Sequence, residues 1–323
     1  ITEMLLGKLG RANPIATMVK LSKKAQAHPA WKLIGYMNIM TLILVLSFYS
    51  VVAGWSIKYV YISMSGALNH ASKETVALLW SQTIANPKAI IAYHALFMVL
   101  TISVVMQGLK QGIERANQIL MPMLFLCLVL LVINNACAPG FAHGWHYLFD
   151  FNAQAINTQT IIHAMGQTCF TLAIGAGCML VYGAYVEEHT NLCKTATTVA
   201  MCNLFVAILV GLAIFPLVFR YGLEPTAGPG LIFETLPIAF ASMPMGNILA
   251  TIFFLLILFA AWTSSISIAE PVVLMLIEQK GLTRSKAACT TGILTWALGL
   301  FSALSFNVWQ NIHFFGYNNF FTA

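Results

Sequence analysis

Seven stretches of this chain, about residues 35–65, 89–109, 113–135, 159–186, 195–220, 246–277 and 285–305, are apolar over a length that reaches or exceeds a bilayer. A helix needs about 20 largely apolar residues to cross the hydrocarbon core. Seven such runs in 323 residues leave little room for a water-facing fold. Only 8% of the residues are charged and 59% are hydrophobic, where a soluble domain carries about 25% charged residues. An ordinary soluble enzyme, a disordered chain and a disulfide-stapled secreted domain are thereby excluded. The pattern predicts an all-α polytopic membrane protein made of a single transmembrane domain over residues 1–323.

The net charge of +6 does not call for a nucleic-acid partner, because the basic residues sit between apolar runs. Lys8, Arg11, Lys20, Lys23, Lys24 and Lys32 crowd the first loop, and Lys110, Arg115, Lys194, Lys280, Arg284 and Lys286 fall in later loops of the same parity. The positive-inside rule then places residues 7–32 in the cytoplasm. Residues 1–6 read as the tail of an eighth span, so the chain reads as an internal fragment. The seven cysteines show no metal or disulfide spacing, and His94, His163, His143 and His146 do not form axial-ligand pairs for a haem. Loops are informative too: Pro139–Trp145 is turn-rich and aromatic, and residues 223–245 hold an apolar Leu231-Ile232-Phe233 among prolines and glycines, as a re-entrant or capping hairpin would.

Several residues break the apolar pattern. In the fourth span, Gly166-Gln167-Thr168 leads to Thr171 and then Gly175-Ala176-Gly177. Glycine is a poor helix former. Backbone groups freed inside a membrane must find partners in the protein or in a cavity, which is how transporters build substrate sites; close packing through small residues explains the same pattern. In the sixth long run, Thr263-Ser264-Ser265 offers oxygens suited to a hard cation, or hydroxyls that bond back to their own helix. Glu270 is an acid within that run, a functional candidate by default or a cap near the helix end. Asn203 and Tyr49 are lone polar groups that also suit plain interhelical packing. Gly112 and Pro122 weaken the start of the third span, which either unwinds there or tolerates a kink.

Together these motifs resemble the neurotransmitter:sodium symporters, in their bacterial amino-acid-transporting branch. The resemblance is carried by Glu3-Met-Leu-Leu-Gly7 through Pro14, Tyr49 with Gly54-Trp55, Gly112-Ile-Glu-Arg115 with Pro122, Gly166-Gln-Thr-Cys-Phe-Thr171, Gly211-Leu-Ala-Ile-Phe-Pro216, Gly228–Pro237, Phe259–Ile266 and Glu270-Pro271. It implies a leucine-transporter-like inverted-repeat fold, of which this chain would hold about family helices three to nine, with helix one, most of helix two, and helices ten to twelve missing.

By that resemblance, Thr171 and Asn203 line a first sodium site, and Ala260, Thr263 and Ser264 a second. Tyr49 meets the substrate carboxylate, Phe170 closes over the substrate, and Val45, Ala173, Ala176, Ser265 and Ile268 shape its pocket. Glu3 satisfies amides of an unwound segment, while Tyr185 and Glu278 belong to a cytoplasmic gate. Gln167, Thr171 and Asn203 form a candidate chloride site, since the seventh family helix offers only uncharged Asn203 and Ala207. The implied function is sodium-coupled symport of a neutral, bulky apolar or aromatic amino acid by alternating access, with no covalent chemistry and no cofactor beyond the coupling ions. A truncated non-transporting membrane fragment and a proton-coupled transporter of the same broad fold are the competing readings.

Overall fold

Long apolar runs have become long helices, and the polar interruptions mark where they end. The computed structural model describes residues 1–69, 71–136, 140–222 and 229–309. Over these residues the chain is helical, without a strand. The α-helices are α1 (Thr2–Gly10), α2 (Pro14–Lys24), α3 (Lys32–Met64), α4 (Lys73–Ala85), α5 (Pro87–Met106), α6 (Arg115–Ala136), α7 (Phe141–Phe149), α8 (Thr158–Thr171), α9 (Cys178–Tyr185), α10 (Leu192–Arg220), α11 (Leu236–Ala241), α12 (Gly246–Lys280) and α13 (Arg284–Leu304).

Among the described residues, six helical segments are long and apolar enough to cross a membrane, ending at Met64, Met106, Ala136, Arg220, Lys280 and Leu304. The remaining run of the sequence analysis, 159–186, is split into α8 and α9. Neither half reaches span length alone, which follows from the glycines between them. Helices α2, α4 and α7 were not anticipated, because they are too short to register as spans. Start signals are local: the Asn13 side chain accepts from the Ile15 and Ala16 amides before Pro14-led α2, and Asn86 caps Pro87-led α5 through the Ala89 amide. The expected hairpin is helical over Leu231–Ala241, while residues 223–228, 137–139 and 310–323 lie outside the described residues.

The chain divides into two compact units: residues 1–46, 151–207 and 266–293, and residues 47–150, 208–265 and 294–323. In the first, α1 lies against α9 through glycines. A β-carbon on Gly7 would overlap the Leu180 carbonyl, and one on Gly183 would overlap the Met4 backbone. Small residues let two backbones approach where lipid supplies no hydrophobic drive between helices. In the second, Phe233 is fully buried among Trp55, Tyr59, Trp80 and Phe254, and the Tyr59 hydroxyl donates to its carbonyl at 2.7 Å. There the start of α6 is preceded by a π-helical turn, Leu109–Glu114, entered through Gly108 at φ 91°. Pro122 is accommodated inside α6.

Pro216 lies inside α10, in the second unit. Proline has no amide hydrogen, so the Leu212 carbonyl four residues earlier loses its helical donor. The buried Asn135 of α6 supplies a replacement: its Nδ2 donates to the Ala213 carbonyl at 2.6 Å and lies 3.4 Å from that of Leu212. Asn135→Leu leaves those carbonyls without this donor. An interhelical hydrogen bond in a membrane contributes about 1–2 kcal/mol at most, so the thermal midpoint in detergent should fall by a few degrees. An unchanged midpoint would contradict the role given to Asn135.

Candidate functional site

The break between α8 and α9 is built by backbone conformation. Asn157 opens α8 with a capping box to Thr160. After Thr171 the backbone turns through Ala173 at φ 50°, Gly175 at φ 86° and Gly177 at φ 84°. Glycine adopts this region freely, whereas an L-residue such as Ala173 is held there at a cost of about 1–2 kcal/mol. Nothing lies within 4 Å of where a Gly175 β-carbon would be, so backbone angle alone selects glycine there.

The polar groups freed by the break are met inside the same unit. The Gly175 amide donates to Glu3 Oε1. With its amide nitrogen turned inward, Asn38 of α3 donates to the Gly175 carbonyl at 2.8 Å and reaches that of Ile34 at 3.3 Å. A β-carbon at Gly177 would press on the Asn38 side chain. Glu3 Oε2 is buried with no partner among the described residues. Ala173, Ala176 and Ile268 pack together on a cluster formed by Ile15, Ile39, Leu42, Cys178 and Val272. Three of the expected pocket residues thus share one apolar wall.

On α8 the Thr171 hydroxyl donates to the Gln167 carbonyl at 2.7 Å, and Gln167 Nε2 lies 3.4 Å from Thr171 Oγ1. Phe170 is 69% exposed. Asn203 is half-buried in the same unit. In the second unit, the hydroxyl run divides its work. Thr263 is buried and donates to the Phe259 and Ala260 carbonyls of its own helix, at 3.1 and 3.0 Å. Ser264 is exposed and hydrogen-bonded to the Tyr49 hydroxyl. Ser265 is fully buried, with no partner for its oxygen among the described residues. Tyr49 itself packs on Ala53, Phe97 and Ala261. Val45 is half-buried on α3 in the first unit.

A charged centre forms at the other end of α9. Glu270 is completely buried. It accepts from the Tyr185 hydroxyl at 2.8 Å, from Arg284 Nη1 at 3.1 Å and from Arg284 Nη2. Glu278, grouped with Tyr185 in the sequence reading, accepts from the backbone and side-chain nitrogens of Asn13 at 2.8 and 2.7 Å. Arg11 donates to the Ala184 and Val186 carbonyls, and Lys8 to that of Thr190, so α1 and the residues after it bind the end of α9. Sequence reasoning missed Asn38, Asn13 and Arg284 in these roles. Asn38 carried a signal, a lone amide in an apolar helix; Arg284 was read only as a loop charge.

A buried carboxylate that loses its cation is left uncompensated, at about 3–5 kcal/mol. Arg284→Met should therefore destabilise strongly, whereas the double change Glu270→Gln with Arg284→Met should recover most of the loss. Comparable midpoints for the single variant and the parent would contradict the ion pair's role.

These features match known proteins along nearly the whole chain. A model of the sodium:neurotransmitter symporter family matches residues 72–309. An uncharacterized sodium-dependent transporter of Bacillus subtilis, YhdH, is 34% identical over 316 residues, covering 98% of this chain and 69% of that protein. An uncharacterized sodium-dependent transporter of Haemophilus influenzae is 34% identical over 323 residues, covering 98% of this chain and 71% of its own. The crystal structure of MhsT in complex with L-phenylalanine superposes with a TM-score of 0.88 at 35% identity, over 99% of this chain and 72% of that one. The chain is a multi-pass membrane protein that belongs to the sodium:neurotransmitter symporter family, a family of sodium-coupled symporters and not of enzymes.

Proposed function

We propose that this chain carries the core of a sodium-coupled symporter for a neutral amino acid with a bulky apolar or aromatic side chain. One observation carries the substrate reading: the α8–α9 break presents Ala173 and Ala176, two small side chains, on an apolar wall with Ile268. The L-phenylalanine bound by MhsT accords with it. Tyr49 takes the substrate carboxylate, Phe170 closes over the ligand, and Val45 and Ser265 complete the side-chain contacts. The buried hydroxyl oxygen of Ser265, without a partner among the described residues, supports a ligand-facing role.

Thr171 and Asn203 serve the first sodium ion; the Ala260 carbonyl with the Thr263 and Ser264 hydroxyls serves the second. The Tyr49–Ser264 hydrogen bond supports this assignment, because it ties the carboxylate-binding tyrosine to a sodium ligand. Glu3 holds the break open through Gly175, and its second oxygen is available to further backbone amides. Tyr185 and Glu278 belong to the gate on the cytoplasmic side, with residues 7–32 facing the cytoplasm of a cell whose inner membrane holds the protein. Residues Gly112–Pro122 open for inward sodium release, and the π-helical turn at Leu109–Glu114 supports local weakness there. The whole of residues 1–323 acts as one transporter domain.

A bound anion completes the charge balance. Two sodium ions and a zwitterion leave positive charge in a poorly solvated place, which is costly unless matched. Gln167, Thr171 and Asn203 are uncharged and line a site for a chloride ion to which the two side-chain amides donate, and the Gln167–Thr171 proximity supports their acting together.

Three measurements on the reconstituted transporter test this reading. In competition assays, leucine, phenylalanine and tryptophan should outcompete glycine and alanine by roughly tenfold or more, given about 1–3 kcal/mol per methylene in an apolar pocket; the reverse order would reject the pocket. Thr263→Val should raise the sodium concentration for half-maximal uptake by about tenfold, the scale of one lost hydrogen-bonding or ligating group at a charge; unchanged sodium dependence rejects the second site. Uptake should fall when gluconate replaces chloride and should lose that dependence in Ala207→Glu. Chloride-independent uptake by the parent refutes the anion site.

A further inference from the structure

Helix α7 plays no part in the transport reading, yet its construction is specific. One side is committed to the end of α10. A β-carbon at Gly144 would overlap Pro216, and one at Gly140 would touch Arg220. The Tyr147 ring lies 4.7 Å from that of Phe215 and 5.0 Å from that of Phe219, and His143 lies 4.8 Å from Phe219. The α6 and α10 segments are both of membrane-spanning length, and Asn135, next to the last residue of α6, joins it to the last third of α10. Helix α7 therefore lies at the membrane face where those two spans finish.

The rest of α7 presents two further stripes. Phe141, Trp145 and Phe149 follow one another at four-residue spacing, with ring centroids 6.2 and 4.4 Å apart. Trp145 is 46% and Phe149 43% exposed. His146 pairs with Asp150 at 3.0 Å, with side chains 67% and 73% exposed. A helix with one protein-facing side, one aromatic side and one charged side suits the boundary between headgroups and water. Indole rings prefer that depth, where an apolar ring and a polar N–H are both satisfied. The preceding span is itself open to lipid, with Leu126, Leu130 and Ile133 exposed at 60%, 44% and 55%. Lipid, rather than a second copy of the chain, is the occupant that matches both the aromatic stripe and this neighbouring surface.

We propose that α7 is a membrane-interface anchor: its Phe141–Trp145–Phe149 stripe sits in the lipid headgroup zone and, through Gly144 on Pro216, holds the end of α10 at a fixed depth. The test uses the full-length transporter reconstituted in phosphatidylcholine brominated either near the headgroup or near the acyl terminus. The Trp145 signal is the difference between the parent and Trp145→Phe, which removes one of the seven tryptophans of residues 1–323. Shallow bromines should quench that difference signal at least about twofold more than deep ones. A second reporter, His146→Trp, should add a signal quenched by aqueous iodide and not by brominated lipid. If the Trp145 signal responds to neither bromine depth, or more to the deep one, the anchor is refuted. Protection of both reporters from iodide and lipid alike would show that protein covers the helix, and would also overturn the proposal.

Discussion

A membrane interior tolerates a broken helix only if the amides and carbonyls it frees are bound by the protein. Here that constraint is met at Gly175, whose amide goes to Glu3 and whose carbonyl goes to Asn38. Much of the first unit follows from holding those two groups in place. Glu3 is positioned because α1 docks on α9 through Gly7 and Gly183. Asn38 is positioned because Gly177 leaves it room. The strained Ala173 is retained because Gly175, two residues on, is anchored through both its amide and its carbonyl. A polar group in an apolar helix is therefore a structural partner of the break before it is anything else.

The same logic recurs away from the break. Pro216 removes a donor and Asn135 supplies one. Glu270 is buried and acceptable only because Arg284 and Tyr185 surround it. In each case a residue that is expensive in isolation is neutralised by specific neighbours, and removing a neighbour alone costs more than removing the pair. Such pairs fix the local structure around each polar group. The alternating access proposed for this chain calls for parts of that kind.

Much of this was legible from residue order. The spans follow from apolar length, and the α8–α9 break follows from Gly175 and Gly177 beside polar residues. What the order of residues did not reveal was pairing across helices. Asn38 and Gly175 are far apart in sequence, and nothing local announces that an amide in α3 serves a carbonyl after α8. Arg284 was visible as a charge, but charge counting assigns it to a loop, whereas it reaches back to the buried Glu270. Helices α4 and α7 escaped because periodicity over nine to thirteen residues, without span length, is a weak signal. The Thr263–Ser265 run was ambiguous by sequence, and the structure shows one hydroxyl bonded to its own helix and another to Tyr49.

Sodium is the proposed driving ion for amino-acid uptake. The most direct measurement loads proteoliposomes of the full-length transporter and follows labelled L-phenylalanine against its own gradient. The internal buffer is choline-based, and either an inward sodium gradient or an inward proton gradient is imposed at matched membrane potential. The account predicts accumulation above equilibrium with sodium alone, collapsing when the sodium gradient is dissipated. Accumulation driven by the proton gradient without sodium would contradict it.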